Sequence, residues 1–360
     1  ITSASEISAI LALSTGYEDL RSRLEKIIVA YNMDGDPVTA GDLDCVGGMM
    51  VLLKDALCPN LVQTLEGNPV FIHGFPFANI AHGANSILAT KSALKFADYT
   101  VTEAGFASDL GGSKFMDIVC RQSGMSPDCV VIVASSRALM MHGGADLKDE
   151  STMTSDNLKK GLVNLDKHIE NMRMYGIPII VSINKFVSDT REHMDIIKSR
   201  CSELGVRSVV SEAFLKGGEG AKDLALAVVE ACEEPKDFKY LYDSNESVRN
   251  KIEIIATKIF GADSVTYAPS AEKTIADLEK RGFGELPICI AKTQASLSDI
   301  PQLKGAPKGW ELHVREVQIS AGAGFIVPVC GSMSLMPGLP AVPAAMNMNL
   351  GPNGRITGLH

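Results

Sequence analysis

The feature that most constrains this chain is a regular alternation, through its middle, of short β-branched apolar runs and longer amphipathic stretches. The runs 130-VVIVA-134, 177-IPIIVSIN-184 and 206-VRSVVS-211 are short and almost uniformly apolar, which predicts strands buried on both faces. Between and after them, 155-SDNLKKGLVNLDKHIENMRMYG-176, 190-TREHMDIIKSRCSELG-205 and 219-EGAKDLALAVVEACEE-234 read as helices. Strand and helix in alternation predict an α/β fold of mostly parallel, helix-covered sheets. In such sheets ligands bind beyond the carboxyl ends of the strands. That rule directs attention to Asn184-Lys185-Phe186 and Glu212-Ala213-Phe214, and, after shorter apolar runs, to His73-Gly74 and Glu103-Ala104-Gly105-Phe106.

The flanks are less regular. Leu20, Leu24, Ile27 and Ile28 share one helical face, which predicts a helix over 18–31. The runs 70-VFIH-73 and 286-LPICIA-291 read as buried strands, and 80-IAHGANSILAT-90 as a helix. The stretch 70–90 holds two histidines and three phenylalanines but no Asp, Glu, Lys or Arg. A metal on His73 and His82 would need further ligands, and no carboxylate or thiol lies nearby, so no metal is expected. His82 reads instead as a hydrogen-bonding or capping group, and the stretch as either core or the wall of a ligand pocket. After the polar connection 235–248, 312-LHVREVQIS-320 alternates in the strand period, predicting a smaller C-terminal α+β domain with antiparallel pairing. A chain of 360 residues exceeds one typical core. The division expected is 1–150, 151–235 and 236–360.

Several function classes are disfavoured. A formal charge of −9 without a basic cluster argues against nucleic acid, and no run approaches the roughly 18 apolar residues of a membrane span. Eight scattered cysteines with no CxxC pair fit reduced thiols in a cytoplasmic protein. No GxxxxGK[ST] phosphate loop is present, and 217-GGEGAKD-223 has the wrong spacing for one. The stretch 184-NKFVSD-189 begins like the guanine-reading NKxD element, but its fourth residue is Val187. In a chain with only 6 % aromatic residues, Phe186 and Phe214 stand out at two strand ends. They are either core or the walls of a flat slot for a heteroaromatic ring.

The runs 53-LKDALCPNLVQTLEG-67, 76-PFANIAHGANS-86, 100-TVTEAGFASDLGGSKF-115, 137-RALMMHGG-144, 164-NLDKHIEN-171, 217-GGEG-220, 286-LPICIAKTQASLSD-299 and 335-LMPGLP-340 together resemble formate–tetrahydrofolate ligase, in order and along essentially the whole chain. The resemblance implies a P-loop NTPase-like relative and a ligase of one-carbon metabolism. ATP would phosphorylate formate, and N10 of tetrahydrofolate would attack the formyl phosphate to give 10-formyltetrahydrofolate. It implies formate, ATP with Mg2+ and tetrahydrofolate as substrates, no tightly bound prosthetic group, and a cytoplasmic homotetramer. The resemblance carries the pterin sandwich onto Phe186 and Phe214, the folate loop onto Met336, Pro337, Gly338, Leu339 and Pro340, and the adenine pocket onto Ala78, Asn79 and Phe106. The second aromatic is commonly Trp in the family, so Phe214 is a smaller platform. The family's phosphate loop and catalytic cations precede the first match, so catalytic residues are expected upstream of Ile1. Two expectations follow: a ligase lacking that segment, whose covered apolar faces would then lie open, or a catalytically inactive folate-binding or scaffold homologue. On either, this chain alone is expected not to turn over.

Overall fold

The computed structural model describes residues 5–332, 341–352 and 354–358. Its centre is a three-stranded parallel sheet in which Val130–Ala134, Ile179–Asn184 and Arg207–Ser211 lie side by side in chain order. The register runs from Val130 opposite Ile179 to Asn184 opposite Ser211, so the carboxyl ends of the last two strands finish level. The fold is therefore α/β around a parallel sheet, as the alternation predicts.

Side-chain alternation explains how helices cover both faces. Val181 and Ile183 point to one side and pack with Leu158, Leu165 and Ile169 of the helix Ser155–Arg173 and Met194 and Ile197 of Arg191–Glu203. Ile180 points to the other side and meets Ala227 and Ala231 of Lys222–Cys232. Each flanking helix has a clear start: Thr154 accepts from Asn157 N–H, and Thr190 and His193 form a reciprocal capping box. The helices Ser136–His142 and Ser155–Arg173 pack very closely where Gly143 and Gly161 meet. A Cβ on Gly143 would overlap the Asn157 carbonyl, and one on Gly161 the Leu139 carbonyl.

A second, larger core unites early and late segments. It holds Ile10, Leu13, Leu20 and Leu24 together with Phe115, Ile118, Ile252, Ile259, Leu312 and Phe325. A mixed sheet borders it: Glu311–Ser320 pairs antiparallel with Phe325–Cys330 and parallel with Ser264–Tyr267. The alternation in 312–320 holds for Leu312 and Val314, but a bulge where Val329 pairs Glu316 and Cys330 pairs Val314 moves the next buried side chain to Val317. The antiparallel pairing expected of the tail thus shares its sheet with a parallel one.

Several expectations need correction. The helix expected over 18–31 ends at Glu25, and Ile28–Tyr31 is a strand paired with Pro37–Thr39. The β-branched Ile27-Ile28-Val29 favours extension, and the Asn32 side chain closes the turn by accepting from the N–H groups of Asp34 and Asp36. The run 70–73 forms a strand, Pro69–Ile72, but not a buried one. It pairs only with Asn60–Gln63 in a two-stranded hairpin, leaving Val70 and Ile72 exposed. The helix expected at 80 begins at Ile87, because Ser86 caps it by accepting from Ala89 N–H. No strand precedes Glu103–Phe106; that segment is held by a single bridge, Ala84 to Ala104. The run 286–291 lies parallel to Phe325–Cys330 with bonds from Cys289 N to Ile326 O and from Ala291 N to Pro328 O, both 2.8 Å. Pro287 cannot donate to such a ladder, and only isolated bridges form, at Ile288 and Ala291. Val51, Leu52, Val101 and Val133 are exposed apolar side chains.

Candidate functional site

At the carboxyl edge of the parallel sheet, the expected aromatic pair is brought together. Phe186 follows the strand Ile179–Asn184, and Phe214 sits in the one-turn helix Ala213–Lys216 just after Arg207–Ser211. Their ring centroids lie 5.3 Å apart at 52°, and Phe214 is 75 % exposed. A flat ring between them would need about 7 Å, twice the ~3.5 Å stacking distance, so the two rings must part to admit one.

The supports of this pair are polar. Asp189 turns its carboxylate back on the sheet, accepting from Phe186 N–H at 2.8 Å and from the Ser136 hydroxyl. Glu212 accepts from Lys185 at 2.7 Å and from Lys216 at 2.5 Å, and those bonds hold its pKa at about 2. A carboxylate so acidic is a brace and not a proton acceptor at neutral pH. Glu212 N–H also donates to Gly220 O at 2.9 Å, which closes the 217–220 turn against the strand end. Gly218 N–H donates to the Glu66 carboxylate at 2.7 Å, so the tip of the 60–72 hairpin reaches this edge.

A second cluster lies where 74–79 meets 104–111. Ala78 is buried among glycines: a Cβ on Gly105 would stand 3.0 Å from the Ala78 Cβ, and one on Gly83 would overlap it. Gly83 has φ +59°, so it is required on both counts. Phe106 is one of two non-glycine described residues with positive φ, at +64°, a conformation that costs about 1–2 kcal/mol for a residue with a Cβ. The bonds Gly105 N to Gly83 O (2.8 Å) and Gly111 N to Gly105 O (3.0 Å) fix it there. Phe106 is exposed, as are Phe75 and Phe77 of the facing segment, and the Asn79 side-chain oxygen is buried without a partner.

Two buried lysines anchor this turn from beneath. Lys114 Nζ donates to Ala78 O at 2.5 Å, and Lys292 N–H donates to Asn79 O at 3.2 Å. Burial lowers the Lys114 pKa and nearby Lys292 adds to that, while Cys289 and Asp109 oppose it. Lys292 Nζ forms an ion pair with Asp109 at 2.7 Å. Asp109 belongs to a π-helical turn, Ser108–Gly112, where Ser108 Oγ meets His168 Nδ1 at 2.6 Å and accepts from Asn171. Neither lysine was singled out by motif reasoning. The available signal was a lone lysine inside a largely apolar run, in 110-LGGSKFMDIVC-120 and 286-LPICIAKTQA-295. Asp189, Ser136 and Glu66 were likewise unmarked.

The histidines part company. His73 Nε2–H donates to Ala56 O and its Nδ1 accepts from Ser86, both at 2.7 Å, so both ring nitrogens serve the fold. His82 is no cap. It is fully buried, edge-on to Phe325, with neither ring nitrogen hydrogen-bonded. Burial, then Lys114 and Arg23, lower its pKa to about 3. Among the described residues, no group of three His, Cys, Asp or Glu side chains could hold a metal ion. No helix among them is long and apolar enough to cross a membrane. Met336, Pro337, Gly338, Leu339 and Pro340 lie outside the described residues.

The family model for formate–tetrahydrofolate ligase matches residues 1–360. With eight sequence runs in the same order and an unbroken match from end to end, the chain belongs to the formate–tetrahydrofolate ligase family, enzymes that join formate to tetrahydrofolate with ATP.

Proposed function

We propose that the Phe186–Phe214 edge is the pterin platform of the ligase and that Ala78, Asn79 and Phe106 line its adenine pocket. The observation that carries the first half is the placement of two aromatic rings, 5.3 Å apart, at the level carboxyl ends of adjacent parallel strands. Phe214, 75 % exposed on a one-turn helix that ends at Gly217, is the ring that would shift to admit a pterin. The second half is supported by Phe106, held exposed at positive φ, and separately by the buried, unpartnered Asn79 oxygen, an acceptor suited to an exocyclic amine.

The chemistry explains why both substrates must be fixed. Formate is a poor electrophile. Transfer of the γ-phosphoryl group of ATP to a formate oxygen turns that oxygen into a leaving group. N10 then attacks the formyl carbon, phosphate departs, and N10 gives up its proton. Aligning amine and carbonyl at roughly 3–3.5 Å supplies much of the rate. Glu212, ionised and doubly paired, does not take that proton; it holds the Phe214 helix to the sheet. Mg2+ would arrive on the ATP phosphates. By the same resemblance Met336 to Pro340 would belong to the folate site, and the three-part division of the chain, a P-loop NTPase-like ancestry, a tetrameric assembly and a cytoplasmic location belong to the same reading. No observation favours an inactive homologue.

The test is equilibrium binding to the full-length protein. Phe186→Ala and Phe214→Ala are expected to weaken tetrahydrofolate about tenfold or more, the size of one lost aromatic stack, and to leave ADP unchanged. Phe106→Ala should do the reverse. Tetrahydrofolate binding that is indifferent to both platform substitutions would overturn the assignment.

A further inference from the structure

Glu66 stands at the tip of a hairpin, in a turn closed by bonds from Thr64 N to Asn68 O (2.9 Å) and from Gly67 N to Thr64 O (3.0 Å). Its carboxylate crosses 152 positions of sequence to accept from Gly218 N–H at 2.7 Å. The glycines permit that approach. A Cβ on Gly217 would stand 2.7 Å from Glu66 Oε1, and one on Gly218 would overlap the other carboxylate oxygen. Gly217 ends the helix that carries Phe214: its N–H bonds Ala213 O, and its φ of +61° turns the chain into 217–220. The Phe214 helix is thus held at two places. Lys185 and Lys216 brace Glu212 at its start, and Glu66 pins the turn at its end. At Gly217, both atoms within reach of a built Cβ belong to Glu66. The other arm of the hairpin runs into His73, which Ser86 and Ala56 fix in place, so the tip is presented from an anchored base.

We propose that Glu66 is a positioning residue for tetrahydrofolate: it sets where Phe214 rests by holding the Gly217–Gly218 turn. The proposal rests on the reading of Phe214 as a pterin platform. It does not make Glu66 a contact of the substrate or of the reacting atoms.

The experiment compares Glu66→Ala, Glu66→Gln, Gly218→Ala and Phe214→Ala in the full-length protein, measuring the Kd of tetrahydrofolate and of ADP calorimetrically. Glu66→Ala is expected to weaken tetrahydrofolate by about three- to tenfold, the scale of one charge-assisted bond at a partly exposed site, with ADP unchanged. Glu66→Gln keeps an acceptor oxygen and should retain most of the affinity. Gly218→Ala displaces the carboxylate and should match Glu66→Ala. The double variant Glu66→Ala/Gly218→Ala should be no weaker than either alone, because both remove one contact. In steady state the loss should fall on KM for tetrahydrofolate rather than on kcat. Wild-type affinity in Glu66→Ala, or losses that add in the double variant, would overturn the proposal, provided Phe214→Ala weakens binding. If Phe214→Ala has no effect, the platform reading itself fails. Equal losses in Glu66→Gln and Glu66→Ala would overturn the hydrogen-bond account.

Discussion

Lys292 and Asp109 face each other at 2.7 Å with 0 % and 6 % of their side chains exposed, 183 positions apart in the chain. Lys292 also donates to Ser296 O at 2.6 Å and Thr293 O at 3.1 Å, so its three protons are all used. Burial alone would raise the Asp109 pKa, but Lys292 and then His168 draw it below the ordinary carboxylate value. A fully satisfied buried pair of this kind is harmless when intact and damaging when halved.

Lys292→Met is therefore expected to destabilise the protein by about 3–5 kcal/mol, the usual result of leaving one buried charge unpaired. Lys292→Met combined with Asp109→Leu should be less harmful than the sum of the two single changes. Urea denaturation of the four proteins measures this. A strictly additive double variant would refute the coupling.

How much of this was legible beforehand depends on what carried each element. The strands 130–134, 179–184 and 207–211 and their helices were readable because a sheet buried on both faces needs continuous β-branched apolar runs, and few other structures do. Phe186 and Phe214 could be placed at one edge because parallel strands bring their carboxyl ends level. The 18–31 segment misled because its apolar period continues past Glu25 into Ile27-Ile28, where the Asn32 turn converts the same residues into a strand. The Glu66 latch and the Lys292–Asp109 pair are long-range contacts between polar residues. No local periodicity encodes these partners, so only the folded chain reveals them.

Helix packing offers a test in which two effects oppose each other. Gly161→Ala improves intrinsic helix propensity by about 1 kcal/mol. The same methyl would overlap the Leu139 carbonyl, which the short helix Ser136–His142 can relieve only by moving away. The clash should win, with a net loss of about 2–3 kcal/mol by thermal or urea unfolding. An unchanged or raised Tm would show that the two helices tolerate separation.

Acid sensitivity follows from His82. Its folded pKa of about 3 lies below the ordinary 6.5, so below pH 6.5 the unfolded chain takes up a proton that the fold refuses. Stability should fall as pH drops from about 6.5 towards 3, by up to ~1.4 kcal/mol per unit from this residue. His142, lowered mainly by burial to about 4, acts in the same direction. Asp117 acts oppositely. Burial raises it to about 6, so its neutral form stabilises the fold below about 3.8, and that contribution is lost as pH rises through 6. His82→Leu removes no hydrogen bond, since the ring nitrogens have none. It should flatten the acid limb and gain about 2 kcal/mol at pH 5 relative to wild type, after correcting both for their pH 7.5 values. Parallel acid limbs would mean that His82 titrates normally.

Asp189 is a residue that motif reasoning passes over, because the guanine-reading element it follows is broken at Val187. Its role here is local. One carboxylate oxygen accepts from Phe186 N–H and the other from Ser136, tying the turn that carries one aromatic ring to the end of the neighbouring strand. Asp189→Ala removes both acceptors from a side chain only 4 % exposed, which frees the Phe186 turn and leaves the part-buried Phe186 N–H without its partner. The following helix keeps its own cap, Thr190 Oγ1 accepting from His193 N–H, so helical content should not change. The expected result is a tetrahydrofolate Kd raised about tenfold with ADP affinity and far-ultraviolet circular dichroism unaltered. Asp189→Asn, which keeps one acceptor oxygen, should fall between. A loss of helicity in Asp189→Ala would assign the residue to folding of the 191–203 helix. Wild-type affinity would separate Phe186 placement from folate binding altogether.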